Sequence, residues 1–192
     1  MRNANASAAD RRGKELGGQM DARQIVDHWS GVERVAVDWS EACERCWRCG
    51  YRAALERCRI VPASLGGTDT AANLVLLCGR CHREAPTHAD PRYLWRWLRA
   101  TSVPSHDTYW TIRGWAEFEV IFGRKPLECF KEAAVDHGAL NAECRALAAD
   151  EFAKTVVHFG EGRLNPSTIA CVIAEIEKKL ADRHGITVPD TC

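Results

Sequence analysis

The chain has 192 residues, of which 46% are hydrophobic, and its 26 basic and 26 acidic residues leave no net charge. This length and composition suit one medium domain with an ordinary core, and they exclude a chain that is disordered throughout. Residues 1–20 contain no apolar run and no window approaches a membrane span, so we expect neither a secretory signal nor a membrane anchor. The composition therefore predicts a cytoplasmic protein.

Elements of the first half can be predicted in chain order. Residues 1–20 lack hydrophobic periodicity and are predicted to be a disordered tail. The apolar positions after Asp21 predict a helix that breaks near Gly31 and continues as irregular chain. Further elements are a short strand over residues 55–61, a Gly-Gly loop over 62–69, the approach to a cysteine pair over 73–77, and a short helix after Cys81.

Helical signals dominate the second half. Asp90 and Pro91 are typical of a helix start, whereas Asn165 and Gly185 are typical of a cap and a stop. The predicted helices span residues 91–99, 113–122, 127–135, 142–159 and 166–184, with a loop over 103–109. We therefore divide the chain into the tail (1–20), a central module with flanking helices (21–125) and a helical C-terminal extension (126–192).

The neutral average charge hides an uneven distribution along the chain. Residues 46–83 hold six arginines and no lysine against two acidic residues, whereas residues 126–192 hold 11 acidic and 7 basic side chains. The planar guanidinium group suits directed, bidentate contacts with phosphate. We expect a nucleic-acid partner at the arginine-rich segment. For any single arginine, a solvated and purely structural face is an alternative of about equal weight. The acidic helical C-terminus is either a docking surface for a protein partner or a cover for the core.

Four cysteines form two Cys-x-x-Cys pairs separated by 28 residues, and they are Cys46, Cys49, Cys78 and Cys81. Two such pairs can surround one tetrahedral zinc ion with four thiolates. The alternative is a set of reduced cysteines that serve as small buried hydrophobes, which does not explain two matched pairs. The other six cysteines form no disulfide-like framework and are predicted to be reduced thiols.

Motifs between and beside these pairs follow a recognisable order: Leu55-Glu56-Arg57-Cys58-Arg59-Ile60-Val61-Pro62, Gly66-Gly67-Thr68-Asp69, Asn73-Leu74 and Cys81-His82. The segment 46–86 resembles the HNH endonuclease family, whose ββα-metal module is held by two such zinc knuckles in many bacterial members. The resemblance implies an α+β protein in which a small zinc-stapled ββα-metal module is flanked by mostly helical segments. It also implies metal-dependent hydrolysis of phosphodiester bonds in DNA.

The resemblance implies roles for individual residues. His82 would bind a catalytic divalent ion, such as Mg²⁺ or Mn²⁺, that grips the scissile phosphate. Asn73 would hold the loop through hydrogen bonds to the backbone. The family's first histidine, which deprotonates the attacking water, is replaced by Arg59, and the aspartate that often precedes it by Cys58. Because arginine stays protonated, Arg59 cannot be a general base.

Three functions therefore remain open. An active nuclease would rely on metal-activated water or on a surrogate base such as His88. A catalytically inactive module would bind nucleic acid, with arginine side chains on the phosphates. An HNH-derived scaffold would serve another role, since a fold does not determine a function. The candidate phosphate contacts are Arg57, Arg59, Arg80 and Arg83.

Seven tryptophans suggest base stacking, but four of them occur among apolar positions of predicted helices and are expected in the core. These four are Trp95, Trp97, Trp110 and Trp115. Trp47, inside the first cysteine pair, is the candidate for an exposed ring.

Overall fold

The computed structural model describes residues 20–32, 37–101, 106–157 and 163–189, so the predicted tail lies almost wholly outside the described residues. Two strands and seven α-helices form within these ranges. The strands are β1 (Leu55–Arg59) and β2 (Leu74–Cys78), and the helices are α1 (Ala22–Trp29), α2 (Gly79–Glu84), α3 (Arg92–Thr101), α4 (Tyr109–Phe122), α5 (Glu128–Glu132), α6 (His137–Phe152) and α7 (Pro166–His184). The prediction of an α+β protein is confirmed.

The two strands form an antiparallel hairpin in which Leu55 pairs with Cys78 and Arg59 pairs with Leu74. Four residues of β2 are buried, because helices and the cysteine turn cover the hairpin. Helix α1 is fastened to it by the Trp29 indole N–H, which donates to the Leu74 carbonyl at 2.8 Å. A two-stranded hairpin is marginal alone, so its flanks must supply much of its stability.

Helix α1 begins and ends as the sequence predicts. The Asp21 carboxylate accepts a hydrogen bond from the Gln24 backbone N–H, and the Gln24 side chain accepts one from the Asp21 N–H. This reciprocal pair satisfies two donors at the helix start. The buried face of α1 consists of Ile25, Val26 and Trp29.

Tryptophan burial follows the prediction only in part. Trp95 packs edge-on against Trp29 with ring centroids 4.8 Å apart, and Trp110 is also buried. Trp115 is 39% exposed, so its predicted place in the core is wrong. Trp47 is 3% exposed and donates its indole N–H to the Ala42 carbonyl at 2.9 Å, so the expectation of an exposed ring is wrong too.

The C-terminal helices differ from the prediction at their ends. Helix α7 begins after Asn165, whose side chain accepts from the Thr168 N–H at 2.7 Å, as predicted. Helix α6 begins five residues earlier than predicted because Asp136 caps it, accepting from the Ala139 N–H at 2.8 Å. Helix α4 begins at Tyr109 rather than near residue 113, because Tyr109 and the next residue are buried in the core.

Two buried carboxylates connect the C-terminal helices. Glu177 is fully buried, accepts two hydrogen bonds from the Arg124 guanidinium at 2.8 and 2.7 Å, and accepts another from the Leu127 N–H at 2.7 Å. Glu151 pairs with Lys154 and Lys179. Part of the acidic charge of residues 126–192 is thus neutralised inside the protein. The Arg124–Glu177 pair also connects residues on the two sides of the domain boundary predicted at residue 125. The boundary itself stays a prediction.

No helix in the described part of the chain has the length and apolar character needed to cross a membrane.

Candidate functional site

The cysteines of the two pairs meet where the turn over residues 46–49 reaches the end of β2. Their four sulfur atoms all lie within 4.8 Å of one another, and the sulfurs of Cys49 and Cys78 are 3.9 Å apart. Sulfurs bound at about 2.3 Å to a tetrahedral zinc ion are separated by about 3.8 Å. The donor set and its spacing therefore fit a structural zinc ion.

The four cysteines affect one another's ionisation. Hydrogen bonds from Cys46, Cys49 and Cys81 hold the pKa of Cys78 far below its usual range. Hydrogen bonding to Cys46 in turn raises the pKa of Cys49 and of Cys81 well above the usual range. One thiolate thus opposes ionisation of its neighbours. A metal ion among the four sulfurs would remove this opposition, because metal binding releases the thiol protons.

Arg48 lies between the two cysteines of the first pair, and its side chain enters the core. Its side chain is buried, donates to the Glu84 carboxylate at 2.6 Å and to the Thr101 hydroxyl at 3.1 Å, and stacks 4.0 Å from the centre of the Trp97 ring. These contacts join the cysteine turn to α2 and α3. Arg48 therefore has a structural role and does not contribute to a phosphate-binding surface.

His82 lies on α2 directly after the last cysteine, and its ring faces β1. Its Nδ1 atom lies 2.6 Å from a carboxylate oxygen of Glu56, with the two side chains 37% and 55% exposed. Because a carboxylate only accepts hydrogen bonds, Nδ1 must carry the proton in this pair. When this ring is neutral, its lone pair lies at Nε2, which is the arrangement of a metal-binding histidine held by a carboxylate.

Sequence reasoning missed Glu56 as a partner of His82. The one available signal was its position two residues before Cys58, which places both side chains on the same face of β1. The carboxylate fills the space beside Gly79, where a Cβ would lie 2.7 Å from its oxygen and 3.6 Å from an Arg83 nitrogen. The contact depends on α2 folding back over the hairpin, which local sequence does not reveal.

Asn73 fastens both ends of the loop between the strands. Its side-chain oxygen accepts from the Val61 N–H at 2.9 Å, and its amide donates to the carbonyls of Val61 at 3.0 Å and Thr68 at 2.8 Å. Gly67 lies so close to this point that a Cβ there would be 1.7 Å from the Val61 carbonyl oxygen. Only glycine permits the loop to close in this way.

Asn73→Ala removes all three loop hydrogen bonds, and we expect the free energy of unfolding to fall by about 2 kcal/mol, since each such bond contributes roughly 0.5–1.5 kcal/mol. Urea denaturation of the zinc-loaded protein measures this change. Asn141→Ala, on an exposed position of α6, is the matched control. An equal stability of the two variants would show that the loop is held by other contacts.

Arg59 lies at the end of β1 with its side chain 40% exposed and its guanidinium 3.3 Å from the Asp69 carboxylate. Cys58 points the other way and is 3% exposed. Burial raises the pKa of Cys58 to about 12, so the thiol is neutral at physiological pH. A neutral, buried thiol is a poor ligand for Mg²⁺.

The other candidate phosphate contacts differ in their surroundings. Arg57 donates to the Met20 carbonyl at 3.3 Å. Arg80 donates to the Leu164 carbonyl at 3.1 Å and stacks 3.4 Å from the centre of the Trp110 ring. Both side chains are half-buried, whereas Arg59 and Arg83 are exposed. Arg83 thus lies next to His82 on α2. Arg80 instead connects α2 to α4, through Trp110, and to the chain before α7, through Leu164.

His88 is held by a hydrogen bond from the Asp90 backbone N–H to its Nδ1 atom, at 2.9 Å. The neutral ring therefore carries its proton on Nε2 and presents a donor to its surroundings. This protonation state does not suit the role of surrogate base that the sequence allowed.

Residues 43–86 match the family model described as HNH endonuclease. This segment contains the four clustered cysteines, both strands, α2 and His82. The resemblance inferred from the sequence is confirmed for it, and the match indicates a nuclease-like or nucleic-acid-binding module. Neither the curated proteins nor the solved structures contain a significant match to the chain.

Proposed function

We propose that this protein is an HNH-like, metal-dependent endonuclease that hydrolyses phosphodiester bonds in DNA. The observation that carries the proposal is the 2.6 Å hydrogen bond between His82 and Glu56 within the matched segment. In the neutral ring this hydrogen bond leaves the lone pair that metal ligation requires at Nε2 of His82. A purely structural module would have no need for a half-exposed imidazole oriented by a carboxylate.

The proposal assigns a structural zinc ion to the four cysteines and a second, exchangeable divalent ion, Mg²⁺ or Mn²⁺, to His82. When bound, the second ion would polarise the scissile phosphate and activate water at neutral pH. Mg²⁺ keeps several waters and is usually bound through one or two carboxylates together with substrate phosphates. Within the described residues no third potential ligand atom joins His82 and Glu56 in a cluster, so water and the substrate phosphate would supply the other ligands.

The protein residues would then orient the substrate and the ligand. Glu56 holds His82 with Nε2 outward, and Asn73 holds the loop over residues 61–73 in place. Arg59 would bind a phosphate of the substrate, since its exposed ion pair with Asp69 is of a kind that contributes only about 0–1 kcal/mol and is easily exchanged. Arg83, beside Glu56, would add a second phosphate contact.

Arg57 and Arg80, which already donate to backbone carbonyls, would contribute mainly positive charge near the substrate.

A second function, nucleic-acid binding without catalysis, is favoured by one observation. By its resemblance to the family, the sequence has Arg59 at the general-base position, and this side chain can only donate hydrogen bonds. In that case Arg59 would clamp a phosphate and His82 would bind no catalytic ion.

Arg59→His tests these two functions, because it restores a general base at the end of β1. We expect slow, Mn²⁺-dependent nicking of supercoiled plasmid by the wild-type protein and a rate about 10²–10⁴ higher for Arg59→His, the usual contribution of a general base. Arg59→Gln is the control that removes the charge without adding a base.

The outcomes separate the proposals. If Arg59→His cleaves DNA and the wild-type protein does not, the natural protein is a nucleic-acid-binding module without catalytic activity. If neither protein cuts DNA while both retain zinc and an unchanged melting temperature, the hydrolase proposal is wrong.

Two further predictions rest on the sequence alone. A protein partner at the acidic C-terminal helices is still proposed, although Glu151 and Glu177 are engaged in internal ion pairs and cannot serve it. A cytoplasmic location is likewise still a prediction.

A further inference from the structure

Helix α3 has a second face that the core covers only in part. Its buried face consists of Leu94, Trp95 and Leu98. A separate row of side chains at spacings of three, four and seven residues from Tyr93 shares another face of the helix. This row lines an open cavity of about 610 Å³ together with the chain that follows α2, and its members are Tyr93, Arg96, Trp97 and Ala100.

We call His88, Tyr93, Arg96 and Trp97 the aromatic shelf. Tyr93 is 48% exposed and meets the edge of the His88 ring with centroids 4.7 Å apart. Trp97 is held in place by the guanidinium of Arg48, 4.0 Å from its ring centre. The shelf therefore combines a rigid indole with an exposed phenol ring, whose position is supported by a fixed imidazole.

The polar groups of the shelf are donors. His88 presents its Nε2–H, because its Nδ1 already accepts from the Asp90 N–H at 2.9 Å. Arg96 is exposed and forms no ion pair with another residue in the described part of the chain. Two carboxylates close by are each paired with an arginine: Asp90 with Arg92, through contacts of 2.6 to 3.0 Å, and Glu84 with Arg48, at 2.6 Å. Net positive charge and open aromatic surface are thus found together.

We propose that the aromatic shelf binds an unpaired nucleobase of the substrate, stacked on Tyr93 and Trp97, while Arg96 binds its phosphate. This inference rests on the proposed function and narrows its substrate to nucleic acid with a single-stranded or flipped nucleotide near the cleavage position. The reason is that the faces of a base are covered in a duplex and become available for stacking only when the base is unpaired.

The shelf lies within reach of the proposed cleavage site. Pro86, at one side of the cavity, follows His82 by four residues. Four residues span at most about 14 Å of chain. This distance corresponds to about four nucleotides at the 3.4 Å rise of a DNA strand. A substrate strand bound at His82 can therefore place a base a few nucleotides away on the shelf.

Fluorescence anisotropy with two labelled probes tests the proposal: oligothymidylate of 12 nucleotides, and an abasic strand of the same length with the same phosphates. The full-length, zinc-loaded protein is used without other divalent ions, so that no cleavage occurs. We expect Tyr93→Ala to weaken oligothymidylate binding about 5- to 100-fold, the range for loss of one stacked base, and to change abasic binding by less than about twofold. Tyr93→Phe should retain wild-type binding.

Arg96→Gln should weaken the binding of both probes and lower the salt dependence by about one phosphate contact. Ile112→Ala, at an exposed apolar position of α4, is the control for loss of surface area. Zinc content and melting temperature are measured for each variant.

Equal binding of oligothymidylate by wild type and Tyr93→Ala would overturn the shelf while leaving the plasmid-nicking result, and with it the proposed function, intact. If wild type binds neither probe and no nucleic acid of any kind, both the shelf and the nucleic-acid partner are wrong. Tighter binding of the oligothymidylate than of the abasic strand, lost in Tyr93→Ala, supports the proposal.

Discussion

Cys49→Ser is expected to release the zinc ion and unfold the module formed by residues 43–86. Structural zinc contributes about 10–16 kcal/mol of apparent binding free energy in small zinc modules, whereas a whole domain is stable by only about 5–15 kcal/mol. A hairpin of two five-residue strands cannot replace that contribution through its own core. Loss of one of four ligands should therefore cost this part of the protein its folded state.

The measurements are zinc content by mass spectrometry and thermal unfolding followed by circular dichroism. Cys171→Ser replaces an exposed thiol on α7 and is the matched control, for which we expect one zinc ion per chain and an unchanged melting temperature. A strong chelator should affect the wild-type protein in the same way as Cys49→Ser. A Cys49→Ser protein with full zinc content and wild-type thermal stability would refute the four-cysteine site.

His82→Ala is expected to abolish divalent-dependent cleavage, with a loss of at least about 100-fold in rate, because it removes the proposed ligand of the ion that stabilises charge at the phosphate. The side chain is 37% exposed and outside the cysteine cluster, so the variant should keep its zinc and its melting temperature. Titration with Mn²⁺, followed by electron paramagnetic resonance, should show loss of one exchangeable ion.

Glu56→Gln distinguishes a positioned histidine from an unassisted one. The glutamine oxygen can still accept from Nδ1 but brings no charge, and changes of this kind behind a ligating histidine reduce metal affinity or activity about 10- to 100-fold. His137→Ala, which removes an exposed histidine on α6, is the control for His82→Ala and should match the wild-type protein. Wild-type cleavage and Mn²⁺ binding in His82→Ala would remove His82 from the proposed mechanism.

The clustering of the four cysteines could be predicted from the sequence because ligand spacing is a local property. A Cys-x-x-Cys pair brings its two sulfurs together within one turn, whatever the surrounding fold. A four-cysteine cluster then needs only one contact between the two pairs. The start of α1 and both ends of α7 follow from caps that act over three or four residues. Asn73 likewise reaches atoms of a loop that begins and ends at the strands already visible in the sequence.

What the sequence left undecided depends on contacts between distant segments. Glu56 reaches His82 across 26 residues, and Arg80 reaches Leu164 across 84. Neither pairing has a local signal, because the approach of two elements is decided by the packing of whole helices and strands. The same reason explains why Trp47 is buried and Trp115 exposed.

The sequence by itself therefore determined that residues 43–86 of this α+β protein are of the HNH type and carry four cysteines at metal-ligand spacing. Only the tertiary structure decided which carboxylate holds His82, which arginines are committed to internal contacts, and which face of α3 is left open. Spacing and capping act over a few residues and survive in any context. Pairings across the fold exist only once burial of the apolar side chains has placed the elements side by side.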